Sequence, residues 1–467
     1  MKLIDLNNYK NVHFIGIGGV SMSGLAEILK SKGMHVRGSD NKASSLTEHL
    51  KSIGIDILIG QSYENIADNC DLVVYTAAVK EDNPEMVSAR DKNIKIIDRA
   101  ELLGVIMGCY KKSVAVSGTH GKTTTTTMIS KILLEAEKDP TINVGGIFKA
   151  IGSNFRVGNS DFFVAESCEY FDSFLKFFPY VGIILNIDKD HTDYFKTMEQ
   201  MEASFNHFAK NISKDGCLVI NTGIKNFDSI IDNVECQIIT YGITEGDYQA
   251  KNIIFSEDGK PAFDIYYKDS FIKSINLDVT GLHNVENSLA SFAACTFLGL
   301  SPEEISIGLE NFEGAKRRFE FKGSFNGITV IDDYAHHPTE IAATLSAAKK
   351  FKHNKIYCIF QPHTYSRTKA LLDRFARAFE DADAVIVTDI YSARETDTLG
   401  IHSMNLVEEI RKTGKEVYYF SSFKEAEDFL LEKSVPNDML ITMGAGDVYL
   451  LGESLLLTGL STLSTEN

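Results

Sequence analysis

The stretch that most restricts the fold is Val114-Ala-Val-Ser-Gly-Thr-His-Gly-Lys-Thr-Thr-Thr125. Val114 to Val116 read as a buried strand. The run breaks at Gly118 and restarts as a helix at Lys122, with Met128, Ile129, Ile132 and Leu133 at helical spacing. Gly118 and Gly121 let successive N–H groups turn inward, the helix start adds partial positive charge, and Lys122 adds a full one. Thr123 then offers a hydroxyl to a Mg²⁺ ion carried on phosphates. Val116 stands where the common spacing has its first glycine, so the loop is the shorter G-x-x-G-K-T form. The pattern predicts a nucleoside-triphosphate site over Gly118, Thr119, His120, Gly121, Lys122, Thr123 and Thr124.

A chain of 467 residues has room for about two to four domains. With 47 Lys plus Arg against 64 Asp plus Glu, its net charge of −17 argues against a nucleic-acid partner. An anionic ligand must then be met by local positive charge, which the Lys122 loop supplies. The seven cysteines are scattered singly, with no C-x-x-C pair, which suits a reducing compartment and argues against zinc. The first ten residues are too polar for a signal peptide, and no apolar run approaches a membrane span. The expectation is a cytoplasmic protein with no membrane partner.

A second glycine loop lies upstream. Val12–Ile17 reads as a strand, Gly16-Ile-Gly-Gly-Val-Ser-Met-Ser-Gly24 as a turn entering a helix, and Met34–Gly38 as a strand ending near Asp40. This is the layout of a dinucleotide-binding βαβ unit. By itself it says that a phosphate-bearing ligand sits at a helix start, without saying which. Strands and helices continue to alternate through Arg99–Met107, so a parallel, doubly wound sheet is expected to end near Gly108. Beyond the Lys122 helix, a buried strand delivers Glu166, and Val181–Leu185 delivers the cluster Asp188, Asp190, His191 and Asp193. Three strand ends carrying Thr123, Glu166 and His191 would then converge. Residues 216–280 read as short strands of a small appended sheet, with a hairpin at Asp258-Gly259. A helix follows at Ser288–Leu298, capped by asparagine. Lys316-Arg317-Arg318 marks passage to a third alternating unit, where an arginine would clamp a triphosphate. The tail Leu455–Asn467 is expected to fray. The fold class is α/β in three domains: 1–108 Rossmann-like, 109–314 nucleotide-binding with a small extra sheet, and 315–467 doubly wound.

The segments Ser117-Gly-Thr-His-Gly-Lys-Thr, Asn186-Ile-Asp-Lys-Asp-His-Thr-Asp, Gly281-Leu-His-Asn-Val-Glu-Asn, Arg317-Arg-Phe-Glu, Asp332-Asp-Tyr-Ala-His-His-Pro and Gln361-Pro-His-Thr-Tyr-Ser-Arg together resemble the Mur ligase family. Within it, the last two segments resemble the branch that adds the first amino acid of the peptidoglycan stem. The likeness runs from about Val12 to Asp447. It implies that ATP phosphorylates the lactyl carboxylate of UDP-N-acetylmuramate and that the amine of L-alanine attacks the acyl phosphate. Lys122 and Mg²⁺ on Thr123 would act at the γ-phosphate, and Glu166 and His191 would hold a second cation beside the carboxylate. His283 and Asn287 would line the adenine side, and Arg318 and Asp332 would face the nucleotide. Tyr334, His336, His363 and Arg367 would face the amino acid. The UDP-sugar would lie on Gly16, Gly18, Gly19, Ser21, Met22, Ser23 and Asp40. The chain departs from many relatives at Ser21 and in Glu166-Ser-Cys-Glu-Tyr. Met198–Phe208 lacks the lysine that sister ligases carbamoylate, so no such modification is implied. A monomer or weak homodimer is expected. Rival readings are a recycling ligase that attaches a tripeptide, a folylpolyglutamate-type ligase, a nucleotide-gated sensor and an NAD-dependent oxidoreductase.

Overall fold

The computed structural model describes residues 4–463 except 77, 192, 193 and 394. Asp193 of the acidic cluster, Ala77 in the turn after the fourth strand, and Arg394 therefore lie outside the described residues, as does the start of the N-terminal segment. Three sheets follow one another along the chain. The first has five parallel strands, in the spatial order 56–59, 35–40, 11–15, 72–75, 95–98. Its order reverses beside strand Asn11–Ile15, and the glycine loop follows that strand. Ligands of open α/β sheets bind at such a reversal, beyond the strands' carboxyl ends.

The second sheet has ten strands, centred on Lys112–Ser117 between Val181–Ile184 and Phe162–Glu166. Side chains on both faces of the central strand are buried, as a parallel sheet covered by helices requires. The β-rich stretch expected as an appended sheet is continuous with this one. Tyr248–Phe255 pairs parallel to Gln237–Gly242 and then meanders antiparallel through Pro261–Tyr267 and Ser270–Asn276. Tight turns at 256–260 and 268–269 permit the change of direction. On the other side, Thr141–Phe148 and Ser153–Arg156 add a hairpin edge that the sequence did not announce.

The third sheet runs 320–325, 328–333, 439–443, 356–360, 384–387, 416–419, and only the first strand is antiparallel. Two expectations fail here and nearby. Helix Tyr449–Leu463 extends through most of the tail expected to fray, because Leu451 and Leu455 are buried against Phe325 and Val330. Helix Leu282–Phe297 starts six residues early, at Gly281 with φ 93°, so no asparagine caps it. Its first two turns instead carry His283, Asn284 and Asn287 toward the Lys122 loop. Among the described residues, no helix is long and apolar enough to cross a membrane.

Candidate active site

The loop after strand Lys112–Ser117 takes the form that the glycines demand. Gly118 has φ 133° and Gly121 φ 83°, both closed to ordinary side chains. A Cβ on Gly121 would also sit 2.7 Å from Asn287 Oδ1. The Asn186 side chain clasps the loop from outside, accepting from His120 N at 2.8 Å and donating to His120 O at 3.0 Å. Helix Lys122–Glu135 begins with no side-chain cap, leaving its first N–H groups for a ligand.

Lys122 Nζ donates to the carbonyls of Gly118 and Thr119 and to Glu169, 3.0 Å from Oε2. Burial alone would lower its pKa, but the Glu169 and Glu166 carboxylates raise it above the ordinary lysine value, so it is a fixed cation. Thr123 Oγ1 donates to Glu166 Oε2 at 2.8 Å, and that oxygen also accepts from Gly145 N. His191 Nε2 lies 3.7 Å from Glu169 Oε1, and its ring stacks on Tyr170 with centroids 4.4 Å apart. His191 itself has φ 49°, a left-handed conformation that costs a non-glycine residue strain and persists where the surroundings hold it.

The three strand ends do converge, with one correction. The acid between Lys122 and His191 is Glu169, fully buried in the turn after strand Phe162–Glu166, whereas Glu166 is committed to Thr123 and Gly145. Sequence reasoning left Glu169 out of the site because the strand pattern ends three residues earlier. The signal available was a second acid in the turn, needed to balance a lysine drawn out of solvent.

From His191 the polar side chains continue into the third unit. Arg367 Nε donates to Asp190 Oδ1 at 3.1 Å, and its Nη1 lies 3.2 Å from His363 Nδ1. His363 lies edge-on to His336, whose Nδ1 lies 2.9 Å from Tyr334 O. Burial depresses His336 to about 3 and His363 to about 4, so both imidazoles are neutral near pH 7. The four residues expected on the amino-acid side are thus contiguous.

Beside them is a cavity of about 640 Å³ walled by both units, a size that suits a small-molecule ligand. His120, Thr124, His283 and Asn287 line it from one side, and Arg318, Asp333 and Glu340 from the other. Burial, with Arg318 adding to it, lowers His283 to about 4 and keeps it uncharged. Asp332 does not line this cavity. Its carboxylate points into the third unit, accepting from Arg317 Nε at 2.9 Å and from Thr442 Oγ1 at 2.8 Å. The next residue faces the opposite side of the strand, so Asp333 lines the cavity, and burial raises it to about 6. Arg317 also donates to Gly444 O and Gly446 O, which leaves Arg318 as the arginine on the cavity wall.

In the first sheet, Gly16 has φ 81°, and Gly18 N donates to Asp40 Oδ2 at 2.9 Å. Gly19 opens helix Val20–Ser31 without a side-chain cap. Met22 and Ser23 are corrected as side-chain contacts. Met22 packs in the core and the Ser23 hydroxyl donates to Val20 O, so only their backbone can meet a ligand. Ser21 Oγ accepts from Arg99 Nη1 at 3.1 Å, and Arg99 was not anticipated.

Fold and site together define a three-unit α/β nucleotide-binding protein with a phosphate loop at the seam of its second and third sheets. Known proteins narrow this. Residues 11–111 match the model of the Mur ligase family catalytic domain, 116–295 the Mur ligase middle domain, and 317–446 the Mur ligase glutamate ligase domain. The chain belongs to the Mur ligase family. It is 51% identical to the UDP-N-acetylmuramate–L-alanine ligase of Lachnospira eligens, over 98% of this chain and 100% of that one. It is 52% identical to the enzyme of the same name from Acetivibrio thermocellus, over 98% and 97%. The crystal structure of a UDP-N-acetylmuramate-alanine ligase from Thermotoga maritima superposes with TM-score 0.78 at 31% identity, covering 97% of this chain and 99% of that one. A murein peptide ligase from Psychrobacter arcticus shares the fold at TM-score 0.67 and 24% identity, covering 96% and 98%.

Proposed function

We propose that the chain is an ATP-dependent ligase that joins L-alanine to the lactyl carboxylate of UDP-N-acetylmuramate through an acyl phosphate, a step of peptidoglycan precursor synthesis. The observation that carries this reading is the row Lys122–Glu169–His191–Asp190–Arg367, which joins a phosphate loop to a second polar site across a domain seam. A sensor or an NAD-dependent oxidoreductase has no use for such a row.

The first step transfers a phosphoryl group from one anion to another, so it needs neutralised charge and in-line placement. Lys122, held by two carbonyls and Glu169, is oriented before the nucleotide arrives and supplies the fixed cation at the terminal phosphate. Thr123, Glu166, Glu169 and His191 present hydroxyl and carboxylate oxygens with one imidazole, a donor set that suits Mg²⁺. When bound there, the ion would offset charge on the phosphates and on the carboxylate under attack. The cavity beside His283, Asn287 and Arg318 receives the adenosine. On the far side, a His336 that gives its Nδ1–H to Tyr334 O keeps a lone pair on Nε2 for the incoming amine. Arg367, braced by Asp190, faces the alanine carboxylate. The loop at Gly16–Ser21 holds the nucleotide-sugar end. We take the units as 1–108, 109–314 and 315–467, with the third closing over ATP, in a cytoplasmic monomer or weak dimer.

Phosphate release tests the assignment. With ATP, Mg²⁺ and UDP-N-acetylmuramate present, L-alanine should trigger release, and the stem tripeptide or glutamate should not. Release with tripeptide and none with alanine would transfer the function to a recycling ligase. Lys122→Ala should abolish turnover in a folded protein. Activity retained within about tenfold, roughly 1.4 kcal/mol of transition-state stabilisation, would rule out its role.

A further inference from the structure

Three side chains meet where the second and third units touch. They are His120 of the phosphate loop, Asp188 beyond strand Val181–Ile184, and His337, which caps helix Pro338–Ala348 of the third unit. One ligand atom from each lies within 4.8 Å of the other two. Asp188 Oδ2 is 3.5 Å from His120 Nε2 and 3.8 Å from His337 Nδ1. Each imidazole is tied from behind: His120 Nδ1 lies 3.1 Å from Glu340 Oε1, and His337 Nε2 lies 3.1 Å from Lys189 O. A carboxylate and a carbonyl accept, so the outward nitrogen of each ring carries hydrogen and the inward one is left to offer a lone pair. Inward, His337 Nδ1 accepts from Thr339 N at a long 3.3 Å, and His120 Nε2 is buried facing Asp188. Histidines that hold metals are oriented in this way, the second N–H given to a carboxylate or a backbone carbonyl.

Two imidazoles and one carboxylate are a donor set for zinc, whereas magnesium prefers oxygen ligands and water. Zinc bonds of about 2.0–2.1 Å put tetrahedral neighbours about 3.4 Å apart. The two contacts of Asp188 are close to that spacing already. Two neighbours oppose an ion there. Arg374 Nη2 is 3.1 Å from Asp188 Oδ2, and Thr339 Oγ1 donates to the same oxygen at 2.6 Å. Arg374 is exposed and can turn to solvent, and a hydroxyl can rotate. In the metal-free protein His120 carries a proton between its two carboxylates, and that proton leaves to solvent as the ion binds.

We propose that His120, Asp188 and His337 form a Zn²⁺ site spanning the second and third units, with water as the fourth ligand. Two ligands come from one unit and one from the other, so the ion pins the seam shut. That arrest rests on the proposed closure of the third unit over ATP; the binding itself does not.

Zn²⁺ and Co²⁺, added to the full-length protein without nucleotide, test it. Titration against a zinc-sensitive dye should show one tightly held Zn²⁺ per chain that excess Mg²⁺ does not displace. Co²⁺ should give the visible absorption of a four-coordinate site. His337→Asn keeps a side-chain acceptor for the helix start and removes one ligand. Its affinity for Zn²⁺ should fall by more than the roughly 10- to 100-fold lost with an outer partner. Arg374→Ala, a change at the surface, should tighten binding, and His191→Ala, at the phosphate site, should leave it unchanged. Zn²⁺ that binds His337→Asn as tightly as wild type, or gains nothing from Arg374→Ala, would overturn the proposal. In small-angle scattering Zn²⁺ should compact wild type but not His337→Asn. Tight binding that depends on His337 without compaction would uphold the site and overturn the closure.

Discussion

The two seams between the three units are built from opposite materials. Between the first and second, the seam is apolar and close. One hydrophobic cluster runs through both, placing Leu25, Leu102 and Ile106 with Phe174, Phe205 and Phe208. Two glycines allow a close approach, one to a ring and one to backbone. A Cβ on Gly24 would meet the Phe155 ring at 2.3 Å, and one on Gly104 would meet the Lys176 carbonyl oxygen at 2.0 Å. Between the second and third, the seam is polar. Asp188 takes Arg374 at 3.1 Å and Thr339 at 2.6 Å, Asp190 takes Arg367, His120 reaches Glu340 at 3.1 Å, and His337 Nε2 lies 3.1 Å from Lys189 O. The clusters of the third unit stay inside it. A dry, interlocked face resists sliding because any shift opens voids. Ionic contacts can be traded for water at small net cost. One chain thus joins the first unit to the phosphate loop through a close apolar face and the third through contacts that water can replace, which is what the proposed closure of the third unit over ATP would use.

The sharpest way to break this contrast is to spoil the tight seam. Gly104→Ala has no room on the side of Lys176, and the neighbour is backbone, which cannot rotate away. We expect a loss of about 3 kcal/mol, seen as a lower melting temperature for the first two units together. An unchanged melting temperature would mean that the seam yields, and the contrast between the two faces would lose its first half.

How much of this was legible in the sequence follows the same division. The phosphate loop was, because glycines at fixed spacing before a lysine leave a backbone few alternatives. The central strands of all three sheets were, because burial on both faces gives apolar runs, whereas the edge strands Thr141–Phe148, Ser153–Arg156 and Glu320–Phe325, which are less evenly buried, were not. The contacts that cross the polar seam were not. Nothing in the local pattern tells Asp188, which meets Arg374, from a solvated loop acid, or Glu169 from Glu166, since both pairs are separated only by which way a turn folds. Asp332 and Asp333 differ by one residue, and the strand's two-residue period sends them to opposite sides. Glycines such as Gly104 read as ordinary helix residues until the neighbouring unit is in place.

The polar seam gives a smaller effect of a different kind. Asp188→Asn keeps the shape and removes the charge that Arg374 and His120 face. Burial works to raise the pKa of Asp188, but hydrogen bonds from His120, Thr339 and Arg374 hold it well below the usual carboxylate range, so it is ionised in any working buffer. We expect turnover to fall by about 2 kcal/mol of barrier, roughly 30-fold, with the melting temperature nearly unchanged. Small-angle scattering should show the nucleotide-bound variant less compact than wild type. A variant as compact as wild type but equally slow would assign Asp188 to chemistry rather than to closure.

The smallest effect tests whether the polar seam is titratable. His120 lies on the phosphate loop between Asp188, 3.5 Å from its Nε2, and Glu340 across the seam, with the His337 ring 4.7 Å away. Burial would lower its pKa, but the two carboxylates win and lift it to about 9. An unfolded histidine titrates near 6.5, whereas undocking takes away Glu340 and leaves His120 beside Asp188 of its own unit. The bridging imidazolium therefore contributes its full stabilisation below about pH 6.5, and the contribution is lost as pH rises through about 9. We expect about 1 kcal/mol on opening, because only the Glu340 contact is lost while Asp188 stays beside His120. Scattering between pH 7 and 10 should show expansion with a midpoint near 9, and in His120→Gln the step should vanish, leaving the looser form throughout. Because other groups also titrate in alkali, the variant decides the matter: a midpoint that survives the substitution would move the titration elsewhere and leave the seam's charge pairs independent of pH.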